Sequence, residues 1–159
     1  MKKCLLVLAV AVLAIAPSSA FATFSVIQDS CRVHGNDVTT WFSVVNFNSP
    51  VPVCDLHFLP ENPVPGCTMI GCIAPAGWGC ALNPVTLGVD YQALTAADCI
   101  FAGQIKRGFA FVLDPDFCCY IVQFTGPNHE VLHEQEECFN CVHVGVENKT
   151  WGDTKKLYR

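Results

Sequence analysis

Charge is scarce in this sequence. Asp, Glu, Lys and Arg make up 14% of the chain, with 9 basic residues against 14 acidic ones in 159 residues. Proteins that bind nucleic acid use a basic surface to displace counterions from phosphates, so this composition argues against a nucleic-acid partner. A Gly-rich phosphate-binding loop and an ordered Ser, His and Asp set are also lacking. No cofactor and no familiar nucleophile is therefore predicted.

Long apolar runs are lacking as well, with one exception near the start. Residues 5–16 (LLVLAVAVLAIA) follow Lys2 and Lys3 without a charged or polar side chain. A helix of about 12 residues is about 18 Å long, whereas a bilayer core needs about 20 residues. Small residues at 18, 20 and 22 supply two cleavage sites for signal peptidase. Residues 1–22 are predicted to be a Sec-type signal peptide, and the mature chain is expected to be secreted, periplasmic or on the cell surface, with no membrane span.

Cysteine, in contrast, is abundant, with 11 in the sequence. Removal of the signal peptide would take Cys4 away and leave an even number. In an exported chain an even set of cysteines indicates a disulfide framework, and spacing alone leaves its connectivity open. The predicted disulfide cysteines are Cys31, Cys54, Cys67, Cys72, Cys80, Cys99, Cys118, Cys119, Cys138 and Cys141.

The mature chain alternates short apolar, β-branched and aromatic runs with Pro, Gly and Asn clusters, which is typical of strands joined by turns. A long Pro-, Gly- and Cys-rich stretch over 60–84 is predicted to be an irregular loop, and 93–98 a short helical turn. The pattern predicts an all-β, disulfide-rich antiparallel sandwich. The predicted strands are 24–28, 38–47, 53–59, 86–91, 108–113, 119–125, 131–138 and 141–146.

Three segments resemble the immunoglobulin-like modules of bacterial secreted and surface proteins. They are the strand-like run 41–46 (WFSVVN), the Pro-x-Gly-Trp string at 75–78, and the Gly-x-x-x-x-Gly-Phe-x-Phe string at 103–111. The resemblance covers about residues 39–139 and implies an immunoglobulin-like sandwich. It implies a fold, and a fold does not determine a function.

His129, Glu130 and His133 form the string HExxH. On a helix the two imidazoles would bind one zinc ion and Glu130 would act as general base, which gives the hypothesis of a small secreted zinc hydrolase. The surroundings favour a hairpin, because residues 126–128 (Gly-Pro-Asn) form a turn signal between two strand-like runs. In a strand His129 and His133 would share a face about 13 Å apart, too far to bind one metal. Coincidence within a hairpin is the favoured interpretation.

Cys138 and Cys141 have the spacing CxxC. A haem anchor would have His directly after the second cysteine, where Val142 stands, and a redox dithiol would lie at a helix N-terminus. A zinc site that recruits His143 is the remaining alternative, but thiols of exported proteins usually pair. Two ordinary disulfides are predicted.

An acidic run lies beside these motifs, at Glu130, Glu134, Glu136 and Glu137. Charged side chains on an edge strand discourage pairing with other chains. A solvated edge is therefore predicted, with weak cation binding as the alternative.

The tail, residues 148–159, is basic and aromatic on an otherwise acidic chain. Its string WGxxKxLYR resembles a short C-terminal signature of exported bacterial proteins, which implies a docking or sorting tag with an acidic partner. A frayed terminus is the alternative. The predicted organisation is thus a signal peptide (1–22), a sandwich domain (23–147) and a tail (148–159).

The function that these features favour is a non-enzymatic surface, adhesion or structural module with a protein or glycan partner. Burial in the core is expected for Trp41 and Trp78, because aromatic residues dominate sandwich cores; exposed tryptophans, Trp151 included, would instead stack on sugars. Two other hypotheses stay open. One is the zinc hydrolase above, and the other is a disulfide-stapled inhibitor or ligand-capture protein that binds through the 60–84 loop.

Overall fold

A computed structural model describes residues 24–60, 68–114 and 117–141, with the backbone alone at positions 117 and 140. The predicted signal peptide, Cys67, His143, Trp151, the tail and most of the strand predicted at 141–146 lie outside these residues. Within them no helix is long and apolar enough to cross a membrane.

The described residues form nine antiparallel strands in two sheets, the four-stranded sheet β1-β2-β7-β4 and the five-stranded sheet β5-β6-β3-β8-β9. The predicted all-β antiparallel sandwich is therefore confirmed. A single 3-10 turn at Ala96–Asp98 falls within the predicted helical turn. The strands are β1 Phe24–His34, β2 Asp37–Asn46, β3 Asp55–Pro60, β4 Thr68–Ile73, β5 Trp78–Asn83, β6 Gly88–Ala93, β7 Gln104–Asp114, β8 Phe117–Thr125 and β9 Val131–Asn140.

The strand order is immunoglobulin-like. The order β1-β2-β7-β4 is that of the A, B, E and D strands of an immunoglobulin domain, and β3-β8-β9 is that of C, F and G. The β5–β6 hairpin extends the second sheet beside β3, on the side where variable domains carry two extra strands. The connection differs, because here the hairpin follows β4 in the chain instead of preceding it.

The prediction of one irregular loop over 60–84 is wrong for about half of its length, and residues 61–67 lie outside the described residues. The segment contains β4 and β5, one at the edge of each sheet. The turn-forming residues that suggested a loop flank these strands: Pro60 ends β3, Pro84 follows β5, and Trp78 N–H donates to the Pro75 carbonyl across a turn in which Gly77 has φ +82°. The described part of the segment is therefore two short strands and the turn that joins them.

Two disulfides close the lateral edges of the sandwich. Cys72 on β4 bonds Cys80 on β5, which joins the sheets along one side. Cys31 on β1 bonds Cys141, directly after β9, which joins them along the other. The bond thus falls between the two remaining edge strands.

Two further disulfides lie at the five-stranded sheet. Cys54 bonds Cys99 beside β3, and Cys119 bonds Cys138 across β8 and β9. Cys118 is also disulfide-bonded. Disulfides that constrain the unfolded chain typically contribute about 2–4 kcal/mol each.

The core between the sheets is aromatic. Phe42 on β2 is fully buried and its ring lies 5.1 Å from that of Phe58 and 5.4 Å from that of Phe111, measured between centroids. Tyr91 is buried too, and its hydroxyl donates to the Ala110 carbonyl at 2.7 Å. Burial raises the pKa of Tyr91 because it disfavours the phenolate. The strands thus hold their outer faces on a rigid, close-packed layer.

Candidate functional site

The outer face of the five-stranded sheet, here called the polar face, carries a row of polar side chains. Strand register places Asp90, His57, Gln123 and Glu134 opposite one another across β6, β3, β8 and β9. His57 Nδ1 lies 2.8 Å from Asp90 Oδ1, and Gln123 Nε2 donates to Glu134 Oε1 at 2.6 Å. The row thus contains two cross-strand hydrogen-bonded pairs, one between β6 and β3 and one between β8 and β9.

A second carboxylate–imidazole pair lies at the end of this face. Asp55 on β3 accepts a hydrogen bond from His129 Nδ1 at 2.8 Å. The Asp55 side chain is 5% exposed, whereas that of His129 is 71% exposed. The pair borders a cavity of about 220 Å³ whose lining includes Thr95, Pro127 and the Cys54–Cys99 disulfide.

One threonine lies between the two pairs. Thr125 Oγ1 donates to the Asp55 backbone carbonyl at 3.2 Å and lies 3.5 Å from His57 Nε2. A carboxylate on Nδ1 holds an imidazole in one orientation and leaves Nε2 as its other functional atom. Each pair therefore supplies an oriented base.

These pairs were not predicted from the sequence, in which His57 looked isolated. The partners are separated by 33 residues in one pair and 74 in the other. Only the register of β3 against β6 and the position of the β8–β9 turn bring them together. A polar residue at alternate positions of β3, Asp55 and His57, was the one available signal, since such residues share a face.

The HExxH residues point to three different surroundings. His129 binds Asp55, the Glu130 carboxylate accepts from the Asn128 N–H at 2.9 Å, and the His133 ring lies 5.9 Å from that of Phe124 in the core. His129, Glu130 and His133 do not form a group with metal-binding geometry in the described part of the chain. The structure does not bring the proposed zinc ligands together.

The expectation that His129 and His133 share a strand face is also wrong. His129 lies in the turn before β9, with φ +61°, and its N–H donates to the Gly126 carbonyl. A register shift between Phe124 and Thr125 follows at the start of the β8–β9 pairing. The turn and the shift direct the first imidazole toward β3 and leave the second beside the core.

The CxxC cysteines do not pair with each other. Cys138 bonds Cys119 and Cys141 bonds Cys31. The nearby acidic residues lie on or next to β9, which is an edge strand as predicted. Glu134 and Glu136 are exposed, but Glu137 points inward opposite Tyr120.

Glu137 is the exception to the predicted solvated edge. Partial burial raises the pKa of Glu137, and a hydrogen bond from Gln135 at 2.5 Å partly opposes this. An inward-facing charge on an edge strand is a known way to discourage pairing with another chain.

The outer face of the four-stranded sheet differs in character, and is here called the apolar face. Three isoleucines, Ile27, Ile73 and Ile105, are 45%, 47% and 53% exposed. Register places them beside Ser43, Ala110 and Val45, which line the outer side of β2 and β7. Exposed apolar residues that are grouped in this way mark interaction surfaces, whereas scattered ones do not.

Trp41 lies within the apolar face. It stands between Ser30 and Ala110 across the sheet and is half-buried, so the expectation that it belongs to the core is wrong. Trp78 is buried as predicted, with its ring 5.1 Å from that of Phe109 and its indole N–H on the Asp98 carbonyl.

Lys and Arg are confined to one sheet in the described part of the chain, whereas acidic residues occur on both, with Asp29, Asp37 and Asp114 on the four-stranded sheet. Every Lys and Arg among the described residues lies on the four-stranded sheet: Arg32 on β1, and Lys106 and Arg107 on β7. The described part of the five-stranded sheet has no Lys or Arg, and its basic side chains are those of His57 and His133. Its acidic residues are Asp55, Asp90, Glu134, Glu136 and Glu137.

Comparisons with solved structures find six similar chains. A solved structure whose title describes an uncharacterized protein from Nocardia farcinica with an immunoglobulin-like fold is similar over 68% of this chain and 80% of that one, at 15% identity and a TM-score of 0.45. No protein-family model and no curated protein matches the sequence. The fold assignment rests on the strand order described above.

Proposed function

We propose that this chain is an exported, non-enzymatic binding module that holds a protein partner on its apolar face. The observation that carries the proposal is the group of exposed isoleucines around Trp41 on a sheet that is rigid beneath them. Interface centres are enriched in aromatic residues and arginine, and Trp and Arg are frequent hot-spot residues.

Export is supported by two features. Residues 1–22 have the composition of a signal peptide. The described residues contain four disulfides with both cysteines placed, and such bonds persist in oxidising compartments.

A binding role fits the chemistry of the polar face better than catalysis does. The cavity beside His129 offers an oriented imidazole, but the hydroxyl in its lining, that of Thr95, donates to Asp98 at 2.6 Å, and its two cysteines are bonded to each other. A nucleophilic mechanism needs a base and a nucleophile within hydrogen-bond reach. The hydroxyl beside the other base, that of Thr125, is buried and donates to the Asp55 carbonyl, so neither pair has a free nucleophile next to it.

The partner's chemistry follows from the charges around the apolar face. Arg32 and Arg107 are exposed on this sheet, and the ion pairs found in the described residues are the two histidine–aspartate pairs of the other sheet. The arginines are therefore available to carboxylates of a partner, with which they form bidentate bonds. A protein with an apolar patch framed by acidic side chains fits this face.

A site-specific photo-cross-linker tests the proposal in the producing cell. A photoreactive phenylalanine analogue is placed at Ile105, and in a matched control at Val85, which is 88% exposed on the β5–β6 turn. The expected result is a protein adduct from position 105 and none from position 85. Arg107→Glu should reduce the yield of this adduct about tenfold or more, because a charge at the rim of an interface sets the association rate and the specificity. Equal adducts from both positions, or none from 105, would overturn the proposal.

Other occupants are outcomes of the same experiment. An adduct between two copies of this chain, together with a dimer in sedimentation that Ile105→Asp dissociates, would assign the face to self-association. A glycan adduct that depends on Trp41 would assign it to sugar binding. Either result rejects a heterologous protein partner.

A further inference from the structure

We infer that the Cys119–Cys138 disulfide masks a site for a soft divalent cation, which selective reduction opens with Glu136 as the third ligand. The two Sγ atoms and a Glu136 carboxylate oxygen all lie within 4.8 Å of one another. Among the described residues no other group of three His, Cys, Asp or Glu side chains meets this condition.

The position of the three residues in the sheet creates the cluster. Cys119 on β8 is paired directly with Cys138 on β9, and Glu136 precedes Cys138 by two residues. Residues at alternate positions of a strand share a face, so all three side chains lie on the polar face. The Glu136 Oε1 atom is 3.8 Å from Cys138 Sγ.

This geometry suits zinc-type ions once the sulfurs are separate. With Zn–S bonds near 2.3 Å and tetrahedral angles, two thiolates must stand about 3.8 Å apart. The Cα atoms of Cys119 and Cys138 are 3.9 Å apart, so the two Sγ atoms reach that separation by rotation about χ1 once the bond between them is broken. A carboxylate completes a three-ligand set and leaves one position for water or a partner group.

Among the disulfides whose two cysteines are both described, exposure makes this one the first that a reductant reaches. Cys138 is exposed and Cys119 half-buried, whereas Cys54 and Cys99 are both buried and Cys141 is buried. Thiol–disulfide exchange requires access of the attacking thiolate to a sulfur. The Cys72–Cys80 bond, with both residues half-buried, is the nearest competitor.

The redox step is two-electron exchange with a dithiol reductant. One reductant thiolate attacks Cys138 Sγ and breaks the S–S bond to Cys119, and the second reductant thiol then displaces Cys138 and closes an oxidised disulfide. The products are two protein thiols and the oxidised reductant. Binding of the metal ion then releases both thiol protons, because the thiolate is the ligand.

The fold has the means to survive this reduction. β8 and β9 pair over their whole lengths, from Phe117 opposite Asn140 to Thr125 opposite Val131. The Cys31–Cys141 bond separately holds the end of β9. The absence of Lys and Arg from the described part of this sheet leaves the field around Glu136 favourable to a cation.

The test uses the exported, oxidised chain treated briefly with dithiothreitol under native conditions. Differential alkylation with mass spectrometry identifies the bond that opens first, and circular dichroism follows the fold. After anaerobic removal of the reductant, Cd²⁺ is titrated and the ultraviolet thiolate-to-cadmium charge-transfer band is recorded. Zn²⁺ is then titrated against a chromophoric chelator, and proton release is measured.

The expected result is opening of Cys119–Cys138 first, one bound metal ion per chain and release of about two protons. Cys138→Ser abolishes the band. Glu136→Gln weakens Zn²⁺ at least about tenfold, since loss of an outer-shell group alone has that effect. Glu134→Gln, on the same face two residues earlier, leaves the affinity unchanged.

Four results would overturn the inference: another disulfide opens first, the fold is lost on reduction, the reduced chain binds no metal ion, or Cys138→Ser binds it equally well. Because a variant of the apolar face such as Arg107→Glu leaves this cluster intact, failure here and failure of the proposed partner site are distinguishable.

Discussion

Removal of the two disulfides that close the edges of the sandwich should have unequal effects on stability. Cys31 and Cys141 are 110 residues apart in the sequence, and Cys72 and Cys80 are 8 apart. We consider the double variants Cys31→Ala/Cys141→Ala and Cys72→Ala/Cys80→Ala. If a disulfide acts by limiting the unfolded chain, the bond that closes the longer loop contributes more.

The stabilisation depends on the length of the loop that the Cys31–Cys141 bond closes when the other disulfides are intact. The Cys54–Cys99 and Cys119–Cys138 bonds remove most of the chain between Cys31 and Cys141, so its effective loop is about 50 residues. The loop-closure relation then gives about 4.1 kcal/mol for this bond and about 2.5 kcal/mol for the 8-residue loop. The first variant should therefore be the less stable by about 1.6 kcal/mol.

Urea unfolding of the oxidised variants measures this difference. With an m-value of about 1.5 kcal/mol per M, the midpoints should differ by about 1 M. Peptide mapping must show that the remaining cysteines keep their partners, and the far-UV circular dichroism of both folded variants should match that of the parent. Equal midpoints, or a lower midpoint for the Cys72/Cys80 variant, would refute the reasoning. The bonds would then act through the native sheet edges and not through the unfolded chain.

Three further predictions concern the core and the β9 edge. Tyr91→Phe should lower the free energy of unfolding by about 1 kcal/mol because it removes the hydrogen bond to the Ala110 carbonyl. Tyr120→Phe should not lower it, since the buried Tyr120 hydroxyl has no hydrogen-bond partner in the described residues. Urea unfolding of the two variants compares these effects. Glu137→Gln should raise the melting temperature at pH 7 and not at pH 3. The pKa of Glu137 is higher in the folded state than its unfolded value near 4.5. The favourable contribution of this side chain to the free energy of unfolding is therefore complete below pH 4.5, and it is lost as the pH rises through the folded pKa. Gly88→Ala should destabilise by about 1–3 kcal/mol, read by thermal melting, because a Cβ there would overlap a backbone carbonyl of β3; an unchanged melting temperature would contradict this.

The alternation of apolar and polar residues predicted the sandwich, because this pattern can be recognised within a single strand. In β8, Tyr120, Val122 and Phe124 are fully buried at every second position. The same logic failed over 60–84, where prolines and glycines at the turns hid two short strands. Six-residue strands are too short for alternation to outweigh the turn residues around them.

The site features were less predictable because they depend on pairing between distant strands. Spacing gives no disulfide connectivity, and the Asp55–His129 contact joins residues 74 apart. The HExxH string shows the opposite case, because its residues are adjacent in the sequence but their side chains lie in different surroundings in the folded chain. His129 in a left-handed turn and His133 in a strand cannot present the helical face that the motif needs.

The unequal faces connect the scarcity of charge in the sequence to what the molecule can bind. A sandwich with few Lys and Arg residues could distribute them evenly, yet the described ones all lie on the sheet that also exposes Ile27, Ile73 and Ile105. Arginine beside apolar side chains favours a protein surface with carboxylates at its rim. Carboxylates and sulfur on the opposite sheet, where the described residues include no Lys or Arg, favour a cation. Since the core separates the two outer faces, a partner on one leaves the other open, and Arg107→Glu and Glu136→Gln should each affect one ligand without affecting the other.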